Sequence, residues 1–151
     1  MARKFTLPLG VNDIQKHLPH RPPMLMLDRV IEFTETTIRA EKTVDEDAFY
    51  FQGHFPGNPI MPGVMIVEAI AQGGALLAAL KGMFDTETHL LAFAGIDGAK
   101  FRRPVSPNET LCVCVEIVKQ RRHLYKFAGH AEVEGSIVTQ LTFSAASSPR
   151  F

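Results

Sequence analysis

Residues 64–80 place apolar side chains around almost the whole circumference of a helix, and this feature limits what the chain can fold into. Glu68 and Gln72 are the only polar side chains in it. At 1.5 Å per residue the helix is about 25 Å long. Such a helix either spans a membrane or is enclosed by protein. Two adjacent glycines, a glutamate and a length below twenty residues favour protein, so we predict a sheet wrapped around a central helix.

The remainder of the chain contains the strands predicted for that sheet. A short helix with Asn12 as a possible N-cap precedes Pro19, and strand-like runs occupy residues 24–33, 36–44, 89–97, 110–120, 123–135 and 136–146. One long helix among about six strands, with neighbours in sequence paired antiparallel, predicts an α+β fold. We predict a single domain over residues 1–151, with poorly ordered tails at 1–10 and 145–151.

Composition excludes some classes of protein. Sixteen Lys and Arg residues balance sixteen Asp and Glu residues, which argues against a globally basic nucleic-acid binder.

Cys112 and Cys114 would share one face of a strand, where a bridge between them is geometrically poor, so they are interpreted as small buried hydrophobic residues. The start of the chain has no apolar run long enough for a secretory signal, and a cytoplasmic location is predicted.

The stretch GHFPGNPIMPGVMIVEAIAQ, residues 53–72, combines a stiff turn with polar groups. Its prolines and glycines hold His54 in restricted turns, and Gly63 leaves its backbone N–H unobstructed at the helix start, where negative charge is favoured. With Glu68, these groups can remove a proton beside a carbonyl, stabilise an enolate and help a hydroxyl leave as water. Two structural interpretations remain open: His54 tied to loop backbone, and Glu68 capping backbone or paired with Arg102 or Arg103 in a subunit contact.

Three segments carry a resemblance to a known family: LPHRPPMLMLDRV, GHFPGNPIMPGVMIVEAIAQ and IDGAKFRRPVSPNETL. In matching order over residues 14–143, the chain resembles the β-hydroxyacyl-acyl carrier protein dehydratases of type II fatty acid synthesis, the FabZ family. The resemblance implies a hot dog fold, dimers that join two sheets edge to edge, often a trimer of dimers, and active-site tunnels at the dimer interface. It implies neither a cofactor nor a metal, and the spacing of His17, His20, His54 and Glu68 does not suit zinc.

The same resemblance assigns roles to residues. His54 would be the base at C2 of a (3R)-hydroxyacyl chain, Glu68 of the other protomer would protonate or orient the departing hydroxyl, and the N–H of Gly63 would bind the thioester carbonyl. The product would be trans-2-enoyl-acyl carrier protein. Four apolar residues are also expected to line the acyl tunnel, and the alternative for each is ordinary core packing. They are Ile66, Ile70, Phe93 and Phe101.

Docking of an acidic carrier protein requires a local basic patch, because the net charge is zero. Lys100, Arg102 and Arg103 lie in the segment that resembles the docking region of the family. A second basic run, for which a solvated turn is the preferred interpretation, comprises Lys119, Arg121, Arg122 and Lys126.

Other functions remain open at this point. The family usually has an aromatic pair at the position of Pro22, Pro23 and Met24. This difference affects the expected preference for acyl chain length, and it does not affect the catalytic residues His54 and Glu68. The dehydratase-isomerase branch, FabA, usually carries aspartate where this chain has Glu68. Hot dog folds also include acyl thioesterases, which generally lack the histidine turn, and a non-catalytic acyl-binding module would lose His54 or Glu68.

Overall fold

The computed structural model describes residues 5–150 and confirms the predicted α+β class. Its elements are α1 (Val11–His17), β1 (Arg29–Phe33), β2 (Thr37–Thr43), α2 (Gly63–Leu80), β3 (His89–Phe101), β4 (Thr110–Arg121), β5 (Leu124–Val133) and β6 (Ser136–Pro149). The predicted cap of α1 is wrong, because Gly10 and not Asn12 precedes its first turn, without a side-chain capping bond.

All six strands form one antiparallel sheet in the order β1-β2-β4-β5-β6-β3. Strands β2 and β3 follow one another in sequence but do not pair, because the loop of residues 45–62 and α2 intervene. Strand β4 instead takes the place beside β2, and β3 becomes an edge strand that pairs with β6 alone. This order leaves one side of β3 without a partner strand within the described chain.

Helix α2 lies against the sheet at very short distances. A Cβ added at Gly73 would lie 3.1 Å from Cγ2 of both Val113 and Val115, and one at Gly129 would lie 2.6 Å from Cγ2 of Ile70. A side chain at Gly129 would therefore clash with Ile70, and one at Gly73 would fit only if the two valines shifted by a few tenths of an ångström. By length and composition α2 is apolar enough to cross a membrane, but 72% of it is buried inside the protein. The predicted enclosure of this helix by a sheet is confirmed.

The two ends of the domain differ from the predicted tails. Residues 145–149 belong to β6 and pair with β3, where His89 lies opposite Pro149. Near the other end, Leu9 is buried and exchanges backbone hydrogen bonds of 3.0 and 2.9 Å with Val30. Pairing of backbone groups fixes these segments, which composition alone does not reveal. Residues 1–4 and 151 lie outside the described part of the chain.

Candidate active site

The turn that carries His54 is held by its own backbone. Phe55 and Asn58 exchange N–H to carbonyl bonds of 3.0 and 2.9 Å, and the N–H of Ile60 donates to the carbonyl of His54 at 2.9 Å. Met61, next along the chain, donates to the carbonyl of Val105 at 2.8 Å. The loop is thereby closed on itself and attached to the sheet side of the domain just before α2 begins.

The His54 ring has a defined orientation. Its Nδ1 lies 2.9 Å from the carbonyl oxygen of Ile60, and its face stacks on Phe55 with ring centroids 4.1 Å apart. A carbonyl oxygen only accepts, so Nδ1 must carry the proton of this bond. In the neutral ring, Nε2 then holds the free lone pair, and this is the state that a general base requires. The backbone tie that the sequence offered as a structural alternative is present, and it leaves Nε2 as the ring nitrogen with a free lone pair.

Glu68 lies one and a half turns into α2, with its side chain 23% exposed. Its Oε1 accepts a 2.9 Å hydrogen bond from Nε2 of Gln72, which lies four residues on and on the same face of the helix. Gln72 is itself 1% exposed; its Oε1 accepts from the N–H of Met26 and its Nε2 also donates to the carbonyl of Met24, both at 2.8 Å. Gln72 thus fixes Glu68 and attaches the segment before β1 to the helix.

His20 is a second neighbour of Glu68, although its spacing in the sequence indicated only an unsuitable zinc ligand. Its Nε2 lies 3.6 Å from Oε1 of Glu68, and its Nδ1 is buried without a hydrogen-bond partner in the described residues. The LPHR segment, which the sequence analysis quoted for its resemblance, was the signal available for this residue. Within the chain, neither Arg102 nor Arg103 pairs with Glu68, and their partners are Gln140 and Glu109.

A cavity of about 240 Å³ opens beside Glu68. His20, Glu68 and Gln72 supply its polar side chains, and its apolar wall consists of Ala71, Ala75, Leu91, Ala92, Phe93, Phe143 and Ala145. His54 is not among the lining residues. Of the four predicted tunnel residues, Phe93 lines this cavity, Ile66 and Ile70 are buried in the core, and Phe101 is 54% exposed.

Gly63 is the first residue of α2, so its N–H has no acceptor within the helix. A Cβ at this position would lie 2.7 Å from Cε1 of Phe101, and the absence of a side chain therefore permits the end of β3 to lie against the helix start. Lys100 and Arg102, on either side of Phe101, are exposed. Two of the three predicted docking cations are therefore sequence neighbours of Phe101, the residue that lies against Gly63.

Arg103, the third predicted docking cation, is already paired. Its NH2 group lies 3.1 Å from Oε2 of Glu109, and its NH1 group donates to the carbonyl of Pro104. Burial raises the pKa of Glu109, but the backbone bond from Ser106 and the contact with Arg103 outweigh it and lower that pKa overall. Less of the charge of Arg103 is consequently available to a partner than that of Lys100 or Arg102.

Replacing His20 with glutamine is expected to reduce the loss of stability of the protein at acidic pH. Burial lowers the pKa of His20 below 6.5, partly opposed by Glu68 and reinforced by Arg21. The unfolded chain therefore binds more protons at this residue, and stability falls as the pH falls from 6.5 through the lowered folded pKa. The measurement is Tm between pH 8 and 5 for wild type and His20→Gln.

The matched control is His123→Gln, at the exposed turn between β4 and β5. This variant is expected to follow the wild-type pH profile. An unchanged profile for His20→Gln would contradict the interpretation of His20 as a buried neutral group.

Comparison with known proteins gives consistent relatives. The chain matches the FabA-like domain over residues 18–142. Proteins named 3-hydroxyacyl-[acyl-carrier-protein] dehydratase FabZ include one from Koribacter versatilis, 49% identical over 94% of this chain and 91% of the relative, and one from Anaeromyxobacter dehalogenans, 47% identical over 91% and 89%.

Solved structures extend the similarity to the fold. The dehydratase heterocomplex ApeI:P of Xenorhabdus doucetiae superposes with a TM-score of 0.76 at 17% identity, covering 95% of this chain and 93% of that one. A mutant thioesterase from Pseudomonas aeruginosa gives a TM-score of 0.70 at 14% identity, with 98% of each chain covered. These neighbours confirm the hot dog fold. At such identities they carry no argument about the reaction.

Proposed function

This chain belongs to the FabA-like family, and we propose that it is a dehydratase, which removes water from a (3R)-hydroxyacyl chain held as a thioester on acyl carrier protein. The product is the trans-2-enoyl thioester, an intermediate of fatty acid synthesis. The relatives that share nearly half of its residues bear the name of this activity. The observation that carries the proposal is the orientation of His54, whose Nδ1 donates to Ile60 and whose Nε2 is left as a base.

The proposed steps conserve atoms and charge. Nε2 of His54 removes the proton from C2, and the electron pair moves onto the thioester oxygen as an enolate. The N–H of Gly63, at the positive end of α2, stabilises that oxygen. As the enolate collapses, the C3–O bond breaks, and the carboxyl of Glu68 donates a proton to the departing hydroxyl, which leaves as water. Gln72 keeps Oε1 of Glu68 in place, so the other oxygen is free for the substrate.

A site shared between two chains is part of the proposal. The cavity beside Glu68 has no His54 in its wall, whereas the outer side of β3 offers unpaired backbone groups with Phe93 and Ile96 exposed at 41% and 47%. An edge strand of this kind pairs readily with a second copy. Edge-to-edge pairing of two β3 strands would bring Phe93, on the cavity wall, to the dimer interface. We include in the proposal a homodimer, further assembly into a trimer of dimers, and a cytoplasmic location.

Mixing His54→Ala protein with Glu68→Gln protein is expected to restore activity that neither variant has alone. After free subunit exchange half of the dimers are mixed, and one of their two sites is intact, so about a quarter of wild-type activity should return. The measurement is the rate of enoyl formation before and after exchange. Exchange is followed independently with two differently tagged chains, and no rescue despite mixed dimers would show that each site lies within one chain.

The reaction itself is tested with (3R)-hydroxyacyl and enoyl substrates on carrier protein, following the enoyl absorbance and free thiol together. We expect reversible enoyl formation without thiol release. Thiol release without enoyl interconversion would identify a thioesterase, and neither signal would identify a binding module. Chromatography of the enoyl product distinguishes dehydration alone from the dehydratase-isomerase reaction of the FabA type.

Charge reversal at Lys100 and Arg102 is expected to weaken use of the carrier-linked substrate. Both cations are exposed and flank Phe101, which lies against Gly63, where the thioester would lie, and an acidic carrier would be attracted to them. The double variant Lys100→Glu, Arg102→Glu should raise KM for the carrier-linked substrate by roughly tenfold at low salt and leave KM for a small thioester analogue unchanged. Reversal of Lys119 and Arg121 is the matched control, and equal effects of the two double variants would contradict the docking assignment.

A further inference from the structure

A grid of neighbouring polar side chains lies on the sheet face that points away from α2. It comprises Cys112 and Cys114 of β4 with Arg39, His130 and Glu132. Val113 and Val115 contact the helix, so the alternate residues of β4 point outward. In the register of the sheet, Cys112 lies opposite Glu132 of β5, and Cys114 lies between Arg39 of β2 and His130 of β5. Cys112 is buried as predicted, but Cys114 is only half-buried, and neither is in a disulfide.

The donor atoms of this grid are close enough to share one cation. The Sγ atoms of Cys112 and Cys114 and a carboxylate oxygen of Glu132 all lie within 4.8 Å of one another. Tetrahedral zinc bonds to sulfur at about 2.3 Å and to oxygen at about 2.0–2.2 Å, which places its ligands about 3.5–4 Å apart. Small side-chain rotations therefore suffice to bring the three donors around one ion. Nε2 of His130 lies 3.1 Å from Oε2 of Glu132, close enough to join as a fourth ligand or to orient the carboxylate.

Charges around the grid suit a divalent ion bound by two thiolates. Arg39 donates to Sγ of Cys114 at 3.1 Å and to Oε1 of Glu132 at 3.0 Å. Two thiolates and one carboxylate carry three negative charges, and one divalent ion with Arg39 carries three positive charges, so the bound site is neutral. The hydrogen bond from Cys114 lowers the pKa of Cys112, opposed by burial and reinforced by Arg39. The same hydrogen bond, together with burial, raises the pKa of Cys114. Both thiols lose their protons when they bind a metal ion, so binding releases protons.

The grid is accessible from one side of the sheet, through Cys114, Arg39 and His130, while Cys112 is buried. An open groove of about 700 Å³ passes over Cys114, Arg39 and His130. Its remaining wall includes acidic side chains, among them Glu32, Asp97 and Glu116, which favour the approach of a cation. The groove shares none of its lining residues with the cavity beside Glu68.

From this juxtaposition we propose that Cys112, Cys114 and Glu132 form a zinc site, with His130 or a water as the fourth ligand and Arg39 as a hydrogen-bond donor to sulfur. Two thiolates with a carboxylate and a nitrogen or water suit Zn²⁺ in preference to Mg²⁺ or Ca²⁺, which take oxygen ligands. The ion connects β4 to β5 on the face opposite α2 and takes no part in the removal of water. The proposal is independent of the dehydratase activity.

The test uses the reduced full chain, freed of metal with a chelator and titrated with Co²⁺ as a spectroscopic substitute for Zn²⁺. We expect one Co²⁺ per chain, a thiolate-to-cobalt charge-transfer band with the strong visible absorption of tetrahedral Co²⁺, and loss of both when Zn²⁺ is added. Zn²⁺ should also raise Tm, by an amount that grows with the logarithm of the ratio of its free concentration to Kd. The weak visible absorption of pink octahedral Co²⁺, or no binding of Co²⁺, would overturn the proposal.

Variants decide whether the grid is responsible. Cys114→Ser is expected to weaken binding by about 100-fold or more and to remove the charge-transfer intensity from that sulfur, and Glu132→Gln to weaken binding by roughly 10- to 100-fold. Glu116→Gln, on the same outward face of β4, is the matched control and should retain wild-type affinity. Far-UV circular dichroism and dehydratase activity of Cys114→Ser confirm folding. Wild-type affinity in a folded Cys114→Ser protein would contradict the site.

Discussion

His54→Ala and Glu68→Gln are each expected to lower kcat/KM for dehydration by about 10²–10⁴, the usual contribution of a positioned general acid or base. His54→Ala removes the lone pair that the Ile60 carbonyl prepares, and Glu68→Gln keeps the shape of the side chain while removing the acidic proton. The two groups act in one reaction, so the double variant should lose little more than either single variant. Steady-state kinetics with the hydroxyacyl-carrier substrate provide the measurement.

Folding must be separated from chemistry in this experiment. His54 is half-buried in a turn and Glu68 is partly exposed, so neither change should disturb the core, and near-wild-type Tm values are expected. His123→Ala serves as the control for histidine removal at an exposed position. Retention of more than about a tenth of wild-type kcat/KM in both variants would argue against general acid–base roles for this pair.

Phe127→Ala is expected to destabilise the protein by about 3–5 kcal/mol, the usual cost of emptying a large aromatic site in a core. Phe127 is fully buried on β5 and stacks on Phe143 of β6 with ring centroids 4.9 Å apart. Its ring also lies against Gly74 of α2, at 3.1 Å from the position of an added Cβ. The cavity would therefore open where helix and sheet meet, and total stabilities of about 5–15 kcal/mol leave little reserve.

Urea unfolding of Phe127→Ala at fixed protein concentration measures this loss, since association adds to the apparent stability of an oligomer. Phe49→Ala is the matched control, because Phe49 is 52% exposed on the loop before the histidine turn. It should cost less than about 1 kcal/mol. Equal losses for the two variants would show that the stack between β5 and β6 is not the centre of the core.

Local sequence patterns were sufficient for α2 and for the turn that carries His54. The apolar circumference of residues 64–80 predicted α2 to within one residue, since an all-round apolar helix needs protein on every side. The prolines and glycines around His54 predicted a stiff turn, and its backbone bonds are present. The i, i+4 spacing places Glu68 and Gln72 on one face of α2, where the structure shows a hydrogen bond between them.

Contacts between distant segments were outside the reach of those patterns. His20 lies beside Glu68 only because Gln72 binds the backbone at Met24 and Met26, and that attachment depends on the packing of a loop. Arg103 looked like a free docking cation in sequence, yet Glu109 pairs with it across a turn. The assignment of residues 145–149 to a tail failed for the same reason, since their strand partner begins more than fifty residues earlier at His89.

The sequence by itself determined that an apolar helix must be enclosed by strands, that a rigid turn holds a histidine before it, and that a carboxylate lies on it. These properties follow from periodicity and backbone restriction, which act over a few residues. Only the tertiary structure decided that β3 lies at the sheet edge and that Cys112 and Cys114 face Glu132 and Arg39. Strand order and register depend on pairing between segments far apart in the chain, and alternation along one strand does not specify its neighbours.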